Sequence, residues 1–351
     1  MFAYIRNKII YGSSVIFGVM VVVFLIFHTL PGDPVSLIAG NRATPETIAQ
    51  IRQDLGLDKP LVVQLLYYIN DLSPLSIHQN SPTQVEKYSY WLAIPLGDYS
   101  LMLKPPYLRR SYHSNKPVSE ILSERIAETL WLALVSMSFA TVLGIALGLF
   151  SALNQNRFWD NLIITASVIG FSAPSFIAAI LISLLFGYYL SEYTGLNMTG
   201  SLWDNDVYAG KGLELKNIIL PALTLGMRPL AMIVQMTRNA MIEELSRDYI
   251  RTARAKGLNK WQVIVKHALK NALNPVITAA SGWLASMMAG AFFVEYVFNW
   301  KGLGWVTINA VNNLDLPVIM GSTLLVALFF VVISILVDVL YAWIDPRVRL
   351  R

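Results

Sequence analysis

Ser172 sits in the run Gly170-Phe171-Ser172-Ala173-Pro174, the only stretch whose spacing suggests a nucleophile. A nucleophile elbow carries a second glycine two residues after the serine, and here Pro174 stands in its place. A serine beside a proline kink in an apolar helix accounts for the same residues. Gly210-Lys211-Gly212 has neither the glycine-rich loop before the lysine nor the hydroxyl after it that a phosphate cradle requires. His28, His78, His113 and His267 are scattered, with no carboxylate at ligand spacing, and the chain has no cysteine. No catalytic residue and no metal site is expected. A chain of this kind that moved solute uphill would draw its energy from an ion gradient or from another subunit.

A gradient-driven carrier usually buries carboxylates or histidines within its spans. The ionisable residues inside apolar stretches are His28, Arg228, Glu295 and Asp338. All but Arg228 fall near the ends of their stretches. An unpaired arginine at mid-depth costs ~3 kcal/mol on insertion scales, so Arg228, beside Pro229, is expected to face a wet cavity or a partner.

The elements that hold these residues are apolar helices. Of 351 residues 55% are hydrophobic and 14% charged, against ~25% charged in soluble domains, which places most of the chain in lipid. The net charge of +5 is too small to point to nucleic acid. Six stretches meet the ~20 residues a crossing needs: Ile9–Leu30, Ala127–Leu149, Leu162–Leu190, Ile218–Met236, Pro275–Phe298 and Pro317–Ala342. The first is too long for a signal-peptide core and is expected to be a retained anchor.

Positive charge sets the orientation. Arg6 and Lys8 put the N-terminus in the cytoplasm, and six crossings return Arg347, Arg349 and Arg351 to the same side. The long Pro31–Ile126 region then lies outside. Within it Thr44, Pro45 and Gly56 bracket an expected helix over Pro45–Leu55, while Ser73–Tyr90 and Lys104–Lys116 read as loops.

The segment Arg247–Lys270 is a basic hairpin between two spans. Tyr249, Ile250 and Ala253 precede Gly257 at near-helical spacing; Trp261, Ile264, Val265, Ala268 and Ala272 follow it. Gly257 suits a left-handed helix terminus, and Asn259 with Gln262 suits a capping box. Pro275 is expected to bend or stop the second helix. Small residues form rows that let helices approach closely: Gly144 with Gly148; Ser281, Ala285 and Ala289; Gly282, Ser286 and Gly290.

Ser246–Leu258 (SRDYIRTARAKGL) and His267–Thr278 (HALKNALNPVIT) together resemble the cytoplasmic loop of permease subunits in binding-protein-dependent ABC importers, in particular the dipeptide/oligopeptide/nickel permease family. Phe27–Pro34, Pro117–Leu134, Phe292–Gly304 and Asp345–Arg351 are similar to further blocks of that family, in its order. The general loop pattern E-A-A-x-x-x-G is replaced by Arg251, Thr252 and Ala253, with Gly257 retained. Asn70–Lys116 is expanded relative to the family, with only Leu96–Ser100 matching.

The resemblance implies an all-α membrane protein with six transmembrane helices and the type I ABC importer permease fold. Its implied layout is an N-terminal tail and first helix over 1–30, an extracytoplasmic region over 31–126, a core over 127–342 containing a coupling hairpin at 243–272, and a cytoplasmic tail over 343–351. It implies a bacterial inner-membrane location, a second homologous permease, two cytoplasmic ATPases and an extracytoplasmic binding protein as partners besides membrane lipid. No cofactor belongs to this chain, since ATP and Mg would be bound by the ATPases. Asp248, Tyr249, Arg251, Ala253, Arg254, Ala255, Lys256, Gly257 and Leu258 would couple to an ATPase. Arg228, Gly282, Ser286 and Gly290 would line the pathway or pack helices; Glu295 and Trp300 would meet the binding protein. The function implied is a translocation path for di- or oligopeptides or a related small solute. A secondary carrier and a Ser172 hydrolase are the competing readings.

Overall fold

A computed structural model describes residues 2–29, 52, 57–79, 88, 90–206 and 210–344. The helix expected over 45–55, the end of the Phe27–Pro34 block and the C-terminal arginines lie outside these residues. Helix α1 (Phe2–Thr29) is an uninterrupted apolar helix, ~42 Å long at 1.5 Å per residue. A shorter helix, α2 (Leu61–Leu72), leads into a three-stranded antiparallel sheet of β1 (Leu75–Gln79), β2 (Leu92–Leu96) and β3 (Tyr99–Leu103), in the order β1-β3-β2. The bundle helices follow: α3 (Val118–Leu153), α4 (Phe158–Ser172) and α5 (Ser175–Ile182), the last running on through a π-helical stretch to Tyr189. A two-stranded hairpin, β4 (Trp203–Asp206) and β5 (Gly210–Leu213), precedes α6 (Ile219–Ser246). Then come α7 (Asp248–Ala255), α8 (Lys260–Gln262) with a π-helical continuation over Val263–Leu269, α9 (Lys270–Val297), α10 (Leu303–Asn312) and α11 (Leu316–Ile344).

Among the described residues four helices are long and apolar enough to cross a membrane, or six if each of two bent pairs is one span. The third expected span is such a pair, since α4 and α5 meet at 110°. Pro174 causes this: it has no N–H and drives Ala173 out of helical geometry, to ψ 129°. Pro275 acts otherwise than expected. Helix α9 runs through it, losing one backbone donor, a loss tolerated in packed membrane helices.

The chain divides into two compact units: residues 1–9, 125–305 and 329–351, and residues 10–124 with 306–328. In the first, Leu132, Ala133, Ala140, Ile233, Val276, Met288, Ala291 and Val294 form the centre of the core. The glycines of α3 permit its approach to α6. A Cβ on Gly144 would fall 2.7 Å from Ile233 Cγ2, and one on Gly148 would fall 2.6 Å from the Val234 carbonyl oxygen. This glycine pair therefore packs helices within the chain. Gly148→Val is expected to cost ~1–3 kcal/mol through overpacking, read as a lower unfolding midpoint of purified protein in detergent, while Gly18→Val, with open space around it, leaves the midpoint unchanged.

In the second unit, the Ser73–Tyr90 stretch expected as a loop contains β1. Two residues, Gly97 and Asp98, join β2 to β3, and Gly97 adopts φ 67°, which favours glycine at the first turn position. The sheet turns Ser76, His78, Ser100 and Met102 inward and Leu75, Ile77, Leu92, Ile94, Leu96 and Tyr99 outward. Behind it lies a buried polar knot. Tyr88 donates to Asp71 Oδ1 at 2.6 Å, Lys104 Nζ donates to the Asp71 carbonyl at 2.5 Å, and Tyr88 stacks on His78 with centroids 4.1 Å apart. Burial first, and the Asp71 charge second, raise the Tyr88 phenol well above its ordinary pKa and keep its proton available for that bond.

Candidate functional site

Two places in the first unit carry the residues singled out by sequence. The first is the basic hairpin. Helix α7 ends in a Schellman motif: Gly257 N donates to the Arg254 carbonyl at 3.0 Å, Leu258 N to that of Ala253 at 3.4 Å, and Gly257 adopts φ 80°. The next helix opens with a capping box, in which Gln262 N donates to Asn259 Oδ1 at 2.8 Å and Asn259 N to Gln262 Oε1 at 3.3 Å. Both termini thus satisfy their backbone groups locally, which makes a tight, rigid turn.

Ile250 and Ala253 from α7 pack with Val263, Ile264, Ala268 and Ala272, and with Ala152 and Met241, in one small core. Ala253 therefore faces inward and supports the knob from below. The expected apolar row is altered. Trp261 and Val265 are 66% and 49% exposed, and Val263 is buried instead, because the wider π-helical turn shifts which positions face the core. Trp261, with Leu258, puts apolar surface at the hairpin tip beside the cations, and its helical spacing disguised it as a core residue.

Tyr249 fastens the hairpin base. Its hydroxyl donates to Glu244 and accepts from Asn271 Nδ2 at 3.0 Å, while Arg247 pairs with Glu243 at 2.7 Å and Glu244 at 2.9 Å. Partial desolvation, then the Glu244 bond, raise the Tyr249 phenol pKa. Asp248, Arg251, Arg254, Ala255, Lys256, Gly257 and Leu258 are exposed. Arg251 lies 3.3 Å from Asp248 at a site where both side chains are more than three-quarters exposed, too wet to neutralise the face.

The second place is a cavity of ≈ 190 Å³ at the break between α4 and α5. Gly170, Ala173 and Ser175 line it from the break, Thr224, Met227 and Arg228 from α6, and Trp283, Ser286 and Met287 from α9. The structure thus brings Arg228 and Ser286 together. Arg228 is exposed, and its Nη2 lies 3.5 Å from the Ala173 carbonyl. A Cβ on Gly282 would meet nothing within 4 Å, and Gly290 stands two turns further along α9.

Glu295 and Trp300 require a correction. Both are wholly buried, so neither offers a surface to a binding protein. Glu295 accepts from the Thr129 hydroxyl at 2.7 Å and from the backbone N–H of Gly304 at 2.7 Å and Trp305 at 3.2 Å, closing the start of α10. Trp300 Nε1 donates to the Glu128 carbonyl at 3.0 Å. The turn just after Trp300 needs its glycine, since a Cβ on Gly302 would lie 2.5 Å from Glu295 Oε2.

Sequence reasoning also passed over Asp160 and Arg238, which lie just outside the expected spans. Arg238 holds Asp160 through Nε and Nη2, each at 2.7 Å; Ser151 also donates to Asp160, as does Asn156 N at 2.8 Å. The pair joins α4 to α6. Lys8 pairs with Asp338 at 2.7 Å, which accounts for that carboxylate.

Known proteins are similar to this chain. Residues 144–350 match the family described as binding-protein-dependent transport system inner membrane component, and residues 1–133 match the family of its N-terminal portion. The glutathione transport system permease protein GsiC of Salmonella typhimurium strain LT2 is 36% identical over 351 residues, covering 100% of both chains, and GsiC of Escherichia coli K12 is likewise 36% identical over 351 residues with full coverage of both. A chain of the methionine ABC transporter MetNI, solved in inward-facing conformations, aligns at TM-score 0.48 with 18% identity, covering 65% of this chain and 97% of its own. A match over the greater part of the length, with full-length relatives above one-third identity, settles the assignment: the chain belongs to the inner-membrane permeases of binding-protein-dependent ABC importers, which are non-catalytic membrane subunits.

Proposed function

We propose that this permease forms, with a second homologous permease, the path for di- or oligopeptides or a related small solute, driven by ATP hydrolysis on two cytoplasmic ATPases and supplied by an extracytoplasmic binding protein. The cofactors, ATP and Mg, sit in the ATPases, and both termini of this chain face the cytoplasm. The observation that carries the reading is the hairpin: a rigid turn on its own small core, presenting Arg251, Arg254 and Lys256 beside exposed Leu258 and Trp261. Cations around an apolar tip suit a groove with an acidic rim. The peptide class is supported by the resemblance of the hairpin and its flanks, and by GsiC, whose name specifies glutathione, a peptide.

Two variants of the assembled transporter test this. Gly257→Val forces a β-branched residue to φ 80° without steric obstruction and should insert normally while abolishing uptake and substrate-stimulated ATP hydrolysis. Trp261→Ala leaves the hairpin core untouched and should reduce coupling about tenfold, the effect of ~1.4 kcal/mol at a contact. Undiminished uptake in the Gly257 variant, or accumulation of solute by this chain in the absence of nucleotide, refutes the reading.

A further inference from the structure

Arg228 is the one charged group among the residues lining the cavity at the α4–α5 break. Arg109, Arg238, Arg247 and Arg251 each have a carboxylate partner, whereas Arg228 makes no ion pair among the described residues. Its hydrogen-bond acceptor, the Ala173 carbonyl, is neutral and at the outer limit of hydrogen-bond length. The guanidinium presents a planar fork of donors matched to a carboxylate. A segment crossing lipid retains such a group where it has work to do.

The rest of the wall is of a different character. Trp283 offers a flat apolar surface, braced edge-on by Phe171 at 6.5 Å, and Met227 and Met287 are flexible fillers that adapt to varied shapes. Ser175 and Ser286 add hydroxyls. One fixed cation among adaptable apolar groups reads a feature common to many solutes and ignores what differs among them. The carboxylate terminus of a peptide is such a feature. A bare divalent cation would be repelled by the same charge.

We infer that the cavity is a carboxylate-binding site, in which Arg228 takes the free carboxylate of a transported short peptide while Trp283, Met227 and Met287 accommodate the adjoining side chain. This rests on the importer reading for its route of entry, though binding itself does not depend on ATP.

Phenylglyoxal modification of Arg228, followed residue by residue with mass spectrometry on the purified full-length chain, supplies the first test, with exposed Arg251 as internal control. Trialanine at about 10 mM, enough to fill a weak site, should slow modification of Arg228 several-fold; trialanine amide should not, and Arg251 should respond to neither. Equal protection by acid and amide, or none by either, overturns the inference. So does complete protection in the assembled transporter without peptide, which would give the carboxylate to a neighbouring subunit. The second test is uptake by the assembled transporter. Arg228→Gln should lower trialanine uptake about tenfold or more, as expected for losing a charge-assisted hydrogen-bonded pair, and Arg228→Lys should recover part of it. Uptake unchanged in Arg228→Gln counts against the site. Carboxylate-selective protection in a wild-type protein that shows no nucleotide-driven uptake would uphold the site while removing the importer reading.

Discussion

Glu295→Ala should be among the most destabilising single substitutions in this chain, at about 3 kcal/mol or more. The side chain is wholly buried and accepts from Thr129 and from the N–H groups of Gly304 and Trp305. Alanine strands three donors at once in a site water does not reach, and each unsatisfied group costs ~1–3 kcal/mol. The damage spreads, because Thr129 Oγ1 also accepts from Leu303 N at 2.8 Å, so the same carboxylate orients the first turn of α10 through two routes. Glu295→Gln keeps the volume and one acceptor oxygen, but turns an amide donor toward groups that are themselves donors. It should fall between alanine and wild type. Thr129→Val, which removes one donor and one acceptor, should resemble the glutamine variant. The measurement is the unfolding midpoint and the monodisperse fraction of each variant in detergent. An alanine variant as stable as wild type would mean that the buried carboxylate is not what closes this loop.

The hairpin was legible in the sequence because every signal that makes it is local. Gly257 and the Asn259–Gln262 box lie within six residues, and each acts on backbone groups one turn away. The buried site at Glu295 was not legible for the opposite reason. Its partner Thr129 is 166 positions distant, and depth along a span says nothing about whether a loop will fold over its end. Polar residues at a span boundary therefore read as surface. The sheet after α2 was hidden by an inversion: its apolar residues face outward and Ser76, His78 and Ser100 face the polar knot around Asp71, so the alternation that marks a half-buried strand carries the wrong sign. The break at Pro174 was half legible. Proline announces a kink, but not that the two halves diverge by 110° and open a cavity for Arg228. Helical spacing also misassigned Trp261, since a π-helical turn departs from the 3.6-residue period on which that inference relied.

Asp160→Ala should cost about 3–5 kcal/mol, and the loss should be recovered in large part by a second substitution. The Asp160 side chain is 1% exposed and Arg238 holds it through two bonds of 2.7 Å, so removing the acid leaves a guanidinium mostly buried with nothing to face. The reverse variant, Arg238→Met, leaves the carboxylate with Ser151 and Asn156 N as donors, and should cost somewhat less. When both ends are replaced, Asp160→Ala with Arg238→Met, no uncompensated charge remains and methionine fills part of the volume. The double variant should therefore be more stable than Asp160→Ala alone, because the coupling between these directly contacting groups, ~3 kcal/mol at the upper end, exceeds what Arg238→Met costs by itself. Transport by the double variant distinguishes two roles for the pair. If it only glues α4 to α6, uptake by the assembled transporter should recover along with stability. If stability returns and uptake does not, the pair transmits force: α6 runs directly into the hairpin, and a two-bond clamp on α4 is a stiffer link than packing alone. Strictly additive destabilisation in the double variant would show that the two side chains are not partners.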